Sequence, residues 1–184
     1  MSGGDPLTLG DDKLADLTRA LEEVPHIKRL RLHTRVPVVI PSRVDEALLD
    51  WFGRISLPVV MVLHVNHARE IDEAVVGACT RLRKAGVTLL NQAVLLAGVN
   101  DDADTLTQLS ERLFEAGVLP YYLHMLDRVA GAAHFAVEET SATGFLDVLR
   151  ARLPGYLVPR LVREEAGAAA KLPVFAVGVD GGCR

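Results

Sequence analysis

Four apolar runs, "RLRLHT" from Arg29, "VVMVLHV" from Val59, "TLLNQAVLL" from Thr88 and "PYYLHML" from Pro120, begin about thirty residues apart. They are rich in Leu and Val and lack the alternation of a half-exposed sheet, so they read as buried parallel strands. Helical patterns fill the gaps. Ser42 is placed to cap a helix whose Val44, Leu48, Trp51 and Phe52 share a face. Ile71, Val75, Cys79 and Leu82 form a second stripe that stops at Gly86, and Leu106, Leu109 and Leu113 a third that stops at Gly117. An earlier helix carries Leu14, Leu17 and Leu21, and a later one Phe145, Val148 and Leu149. Strand and helix alternating at this period specify an α/β fold with a parallel sheet and right-handed crossovers, either doubly wound or part of a (βα) barrel.

Composition narrows the class of function. The 184 residues are 49% hydrophobic and 24% charged, enough for one cored domain. A net charge of -4 argues against dedicated nucleic-acid or membrane-surface binding, and no apolar run reaches the roughly 18 residues of a membrane span. Small molecules or proteins remain as partners. No basic region leads into an apolar stretch at the N-terminus, which makes a cytoplasmic location the expectation. Cys79 and Cys183 match neither a disulfide framework nor a CxxC metal pair, and read as one buried helix thiol and one tail thiol.

In both candidate architectures chemistry gathers at the carboxyl ends of the strands. Polar residues cluster there: His33, Thr34 and Arg35 after the first run, His64, Asn66 and His67 after the second, His124 and Asp127 after the fourth. Asn91 and Gln92 lie inside the third run, where a residue facing a lumen or ligand can be polar without being solvated. A packed core has no use for all of these, because each buried amide or imidazole must find a partner. Several histidines near strand ends also suit the metal site of a barrel hydrolase, but an HxH on the first strand is absent and only "HVNH" on a middle strand approaches it. Each histidine taken alone reads first as a hydrogen-bonded core or supporting residue. Lys171, in "EEAGAAAKLPV", is either part of a surface loop or an amine set among small residues that let backbone approach a cofactor. Lysine is the residue that condenses with carbonyl cofactors.

The opening "SGGDPL" places a glycine pair and Asp-Pro where a turn would follow a strand, yet no strand precedes it. Together with "HIKRLRLHTRVPVVIPSRV", "HVNHARE", "GVTLLNQAVLLAGVNDD", "PYYLHMLDRVAGAAHF" and "GYLVPRLVRE", it resembles the lysine 2,3-aminomutase family of radical S-adenosylmethionine enzymes. The resemblance runs in family order from Ser2 to about Pro173, and "LDRVAGAAHF" with the short ending is most similar to the branch that makes (R)-β-lysine for elongation factor P. It implies that residues 1–184 are the last four strand-helix units of a six-unit partial barrel, with 155–184 as a segment and tail carrying the lysine for pyridoxal phosphate. Gly3, Gly4 and Asp5 match the turn that receives the amino group of S-adenosylmethionine. Lys171 matches the pyridoxal phosphate anchor, and Asp127 an acid that receives the distal ammonium of L-lysine. Glu164, seven residues before the lysine, stands where the catabolic enzymes carry a second Asp. His33, Arg35, Asn91 and Gln92 fall in blocks that line the cofactor cavity.

The family's [4Fe-4S] cluster needs three cysteines of a CxxxCxxC loop that would precede Met1, and Cys79 and Cys183 do not replace it. No metal ligand is therefore assigned, and the chain alone is expected to be inactive in radical chemistry. A homo-oligomer is expected of the complete enzyme. The alternatives are a non-catalytic or partner-completed module that binds pyridoxal phosphate, and a metal-dependent barrel hydrolase. A further expectation is that "RLRLHT" forms an exposed parallel edge.

Overall fold

The computed structural model describes residues 4–127, 131–165 and 167–175. One sheet runs through the molecule, built from β1 (Leu30–Thr34), β2 (Val59–His64), β3 (Thr88–Val94), β4 (Leu119–His124), β5 (Arg160–Arg163) and β6 (Leu172–Pro173), in that spatial order. The first five are parallel and β6 returns antiparallel against β5. Helix α1 (Asp11–Glu22) precedes β1, and a four-residue α2 (Val36–Val39) with α3 (Glu46–Arg54) links β1 to β2. The later crossovers are α4 (Glu73–Lys84), α5 (Ala103–Glu115) and α6 (Glu139–Arg152). The four apolar runs are β1 to β4. The short strands β5 and β6 carry too few apolar residues to stand out by composition.

Local chemistry sets the helix ends. Asp45, Asp72 and Asp102 each accept a backbone N–H three residues on, from Leu48 at 2.9 Å, Val75 at 2.9 Å and Thr105 at 2.8 Å. Ser42 is not the cap expected of it: it sits in a single 3-10 turn, Pro41–Arg43, and Asp45 starts α3 instead. Gly86 and Gly117 end α4 and α5 with φ of 84° and 77°, and the next N–H reaches back to Leu82 and Leu113. Gly117 also faces Arg83, whose side chain lies 2.2 Å from where a Cβ would stand.

Period-two alternation divides the sheet into two faces. Leu30, Leu32, Val59, Met61, Leu63, Leu89, Ala93, Leu123 and Leu161 pack in one core with Leu48, Trp51, Cys79, Leu82, Leu109, Leu113, Leu146 and Leu149 of the helices. Each fully buried leucine of this set contributes about 2 kcal/mol of transfer free energy. Leu17, expected on the core stripe of α1, is 38% exposed, while Thr18 is buried and accepts the indole N–H of Trp51 at 3.2 Å.

The other face carries the intervening residues, and a bulge decides which of them those are. Asn91 pairs with Pro120 but Gln92 pairs with Tyr122, so Tyr121 is an extra residue in β4. Proline cannot donate to the ladder, which makes it a natural partner of such an irregularity. In unbroken register Tyr122 and His124 would point under the helices; the inserted residue turns both onto the open face.

The carboxyl ends of the strands are locked by asparagines. Asn91 brackets Val65, accepting its N–H at 2.9 Å and donating to its carbonyl at 3.0 Å. Asn66 accepts the N–H of Val94, and fully buried Asn100 donates to the carbonyls of Asn66 and Val94 while accepting from Leu96. Asp5 fastens the N-terminal turn to the end of β1: its carboxylate takes the Thr34 hydroxyl and the Arg35 N–H, each at 2.7 Å. Arg43 adds bonds to the carbonyls of Leu7 and Leu9.

Candidate functional site

The open face of the sheet presents a row of polar side chains. From β1 comes His33, from β2 His64, from β3 Gln92, and from β4 Tyr122 and His124. The rings of His33 and His64 lie 6.0 Å apart edge to face. His64 Nε2 is 3.2 Å from Gln92 Nε2, which fits an amide N–H donating to a neutral imidazole. The other end of the Gln92 amide is orphaned: Oε1 is buried with no partner among the described residues. A group able to donate to it is the missing half of that contact.

Lys171 closes the row. It lies just before β6, its ammonium hydrogen-bonds the Glu164 carboxylate that follows β5, and it stands 3.4 Å from His124 Nε2. Its Nζ is also 5.5 Å from the centre of the Tyr122 ring. His124 Nδ1 is 3.7 Å from Glu164 Oε1, so the imidazole lies alongside the Lys171–Glu164 ion pair. A cavity of about 680 Å³ opens beside Lys171, lined by Tyr122, Arg150, Arg160, Val162 and Phe175 among others. That is room for a drug-sized ligand, and two guanidinium groups suit an anionic one. A cleft of about 410 Å³ between α1 and α3 contains none of the polar row.

Electrostatics keep the imidazoles neutral. Burial first, then Arg31, then His64 push His33 down to about 4 from an ordinary 6.5. Burial also lowers His64, with Arg35 adding to it, and lowers His124, with Lys171 adding to it. Asp127 and Glu164 oppose the shift at His124. The Lys171 hydrogen bond holds the Glu164 carboxyl below the usual range.

Of the residues singled out by sequence, the structure gathers Lys171, Glu164, His33 and Gln92 on one face, with Arg35 and Asp127 exposed at its rim. Gly4, with φ of 92°, and Asp5 lie at the carboxyl end of β1. Gly3 and Cys183 lie outside the described residues. Asn91 is a correction: alternation puts it with Leu89 and Ala93 under the helices, 2% exposed, and Val65 engages both of its polar atoms. It therefore does not line the open face. Cys79 is buried in the core, where desolvation raises its thiol to about 11. Sequence reasoning placed His64 and His124 in the rim without a role and missed Tyr122, Arg150 and Arg160 altogether. The bulge that exposes Tyr122 is announced only by Pro120.

No group of three or more His, Cys, Asp or Glu able to hold a metal occurs among the described residues. No helix among them is long and apolar enough to cross a membrane.

Comparison with known proteins agrees with this architecture. No family model matches the chain. It is 53% identical over 173 residues to the L-lysine 2,3-aminomutase of Escherichia coli (strain K12), covering 94% of this chain and 51% of that one. Identity is 50% over 170 residues with the enzyme of the same name from Haemophilus influenzae, covering 92% and 50%. With that from Clostridium subterminale it is 37% over 175 residues, covering 95% and 42%. The chain thus spans about half the length of the curated relatives it matches. Among solved structures, a radical SAM methyltransferase from Sphaerobacter thermophilus superposes with a TM-score of 0.55 at 19% identity, over 75% of this chain and 41% of that one. A domain of pyruvate-formate lyase-activating enzyme from Bacteroides vulgatus gives 0.58 at 14%, over 90% and 97%. At those identities the likeness speaks for the fold alone, a mostly parallel sheet and its helices. Over the stretch it shares with these relatives, the chain is similar to L-lysine 2,3-aminomutases.

Proposed function

We propose that this chain is the part of a radical S-adenosylmethionine L-lysine 2,3-aminomutase that holds pyridoxal phosphate and substrate, and that the complete enzyme converts L-lysine into (R)-β-lysine for elongation factor P. The observation that carries the reading is Lys171: an amine on the open face of the sheet, beside a cavity of about 680 Å³ and in contact with an imidazole and a carboxylate. The residues present fit the cofactor. Lys171 is the anchor for its aldehyde, Arg150 and Arg160 are cations on the cavity wall for its phosphate, and the orphaned Gln92 Oε1 accepts a donor from whatever fills the face. When bound, pyridoxal phosphate supplies a carbonyl carbon that holds the substrate amine and stabilises reactive character next to it.

The chain's own residues do the rest of the work assigned here. Asp127 and Glu164 pair with the distal ammonium of lysine, so Glu164 exchanges the Lys171 ammonium for that of the substrate. Gly4 and Asp5 lie at the end of β1, where S-adenosylmethionine would approach, with His33 and Arg35 next to them. The ligands of the iron-sulfur cluster come from outside the described residues, since these hold no suitable group. A second reading is a module that keeps pyridoxal phosphate without radical chemistry. The same observation leaves the metal-dependent hydrolase without a site among the described residues.

The two readings part in one assay. The native gene product, purified anaerobically from its own organism and supplied with S-adenosylmethionine, reductant and L-lysine, is expected to form β-lysine. A preparation that carries a cluster and pyridoxal phosphate but leaves L-lysine unchanged overturns the aminomutase reading.

A further inference from the structure

We propose that the Lys171–Glu164 ion pair is an interlock: the resting anchor fills the carboxylate that a substrate ammonium needs, so an aldehyde must engage Lys171 before an amine can engage Glu164. The inference rests on the reading of Lys171 as the carbonyl anchor and of Glu164 as an ammonium acceptor. Backbone register builds the pair. In the antiparallel pairing of β5 with β6, Val162 stands opposite Pro173 and Arg163 opposite Leu172, so Glu164 and Lys171 are the next residues to face each other. Opposed residues of such a ladder hold their Cβ atoms about 4.5–5.5 Å apart. Register alone therefore brings the ammonium onto the carboxylate. Only residues 165–170 separate the two in sequence. An ammonium tethered this closely acts at a high effective concentration, which a free amine has to exceed.

The neighbouring groups leave Glu164 to this one cation. Arg163, beside it in sequence, pairs with Glu139 and Glu165. His124 lies alongside at 3.7 Å, but burial lowers its basicity, so it brings no positive charge at neutral pH. The Glu164 carboxyl is held below the usual range, first by the Lys171 hydrogen bond, and is anionic whenever that ammonium is present. Reaction with an aldehyde removes the ammonium. Bonds form from Nζ to the aldehyde carbon, two hydrogens leave with the carbonyl oxygen as water, and one passes to solvent as a proton. The positive charge and the three N–H donors that held Glu164 are lost together, and the carboxylate is left open to a second ammonium.

The test is binding of L-lysine relative to L-norleucine, which has the same length and the same α-groups but no distal ammonium. It is followed by NMR titration of the chain without added pyridoxal phosphate. The wild-type chain is expected to show little preference between the two. Lys171→Met empties the carboxylate, and the preference for L-lysine is expected to rise about three- to tenfold, since apparent affinity scales with the fraction of sites that are free. Lys171→Arg keeps a cation against Glu164 and is expected to behave as wild type. Lys171→Met combined with Glu164→Gln is expected to lose the gain. If Lys171→Met does not fold, Lys171→Gln is used and the same outcomes apply. No gain on removing the ammonium, or a gain that survives Glu164→Gln, overturns the interlock. The anchor is tested separately, by borohydride reduction of the wild-type chain with pyridoxal phosphate and peptide mapping. Label on Lys171 without the gain overturns the interlock alone; label on Lys13, Lys28 or Lys84 in folded protein overturns the anchor, and the interlock with it.

Discussion

Three histidines on the open face are held neutral by burial, and the sign of their effect on stability follows from linkage. The unfolded chain takes up a proton on each near 6.5, whereas folded His33 resists until about 4. Their contribution is therefore complete above about 6.5 and is lost as the pH falls toward 4. His64 and His124 are shifted in the same direction, and the lowered Glu164 adds a loss of the same sign at still lower pH. The urea midpoint is expected to fall steadily from pH 7 to pH 5, and His33→Gln to flatten part of that slope. An unchanged slope in the variant would remove His33 from the account. At this scale the sequence was partly legible. His33 and Gln92 are legible as polar residues in or after apolar runs, which are costly without a purpose, whereas Lys171 and Glu164 stand out through the small residues around a lone lysine and through the family resemblance. Asn91 was misplaced by one strand position, which is one whole face of a sheet, and Asn100 gave no signal because its role is to bracket backbone that only the fold brings together.

Elements were the most legible level, and the places where they were not are informative. The glycine stops of α4 and α5 fall where positive φ is required, and Asp45 caps α3 in place of Ser42, which lies in the preceding 3-10 turn. β5 and β6 escaped because strands of four and two residues show no periodicity, although they place Glu164 and Lys171 against each other. The β4 bulge is the element-level feature with the largest functional consequence. Deleting Tyr121 removes the extra residue and leaves Tyr122 opposite Gln92 and His124 opposite Val94, so both are expected to stay on the open face and Lys171 to keep its label from pyridoxal phosphate. A deletion variant that stays folded but loses the label on Lys171 would show that the bulge itself, and not only the register after it, shapes the site.

For the whole molecule, the parallel sheet lays one face under the helices and leaves the other to chemistry, and chain order equals spatial order from β1 to β6. Among the described residues β1 pairs only with β2, so the edge anticipated from "RLRLHT" is present. Such an edge, next to an uncovered polar face, is where further strands of a partial barrel would add. The alternation of runs in the sequence made this architecture legible before any side chain was placed; the curvature and the contacts across the open face were not, since they depend on which strands become neighbours. The central claim concerns one amine on that face. Pyridoxal phosphate added to the folded protein, reduced with borohydride and mapped by peptide mass spectrometry, is predicted to leave its label on Lys171. Label on Lys13, Lys28 or Lys84 instead, or none while the fold is intact, would contradict the account.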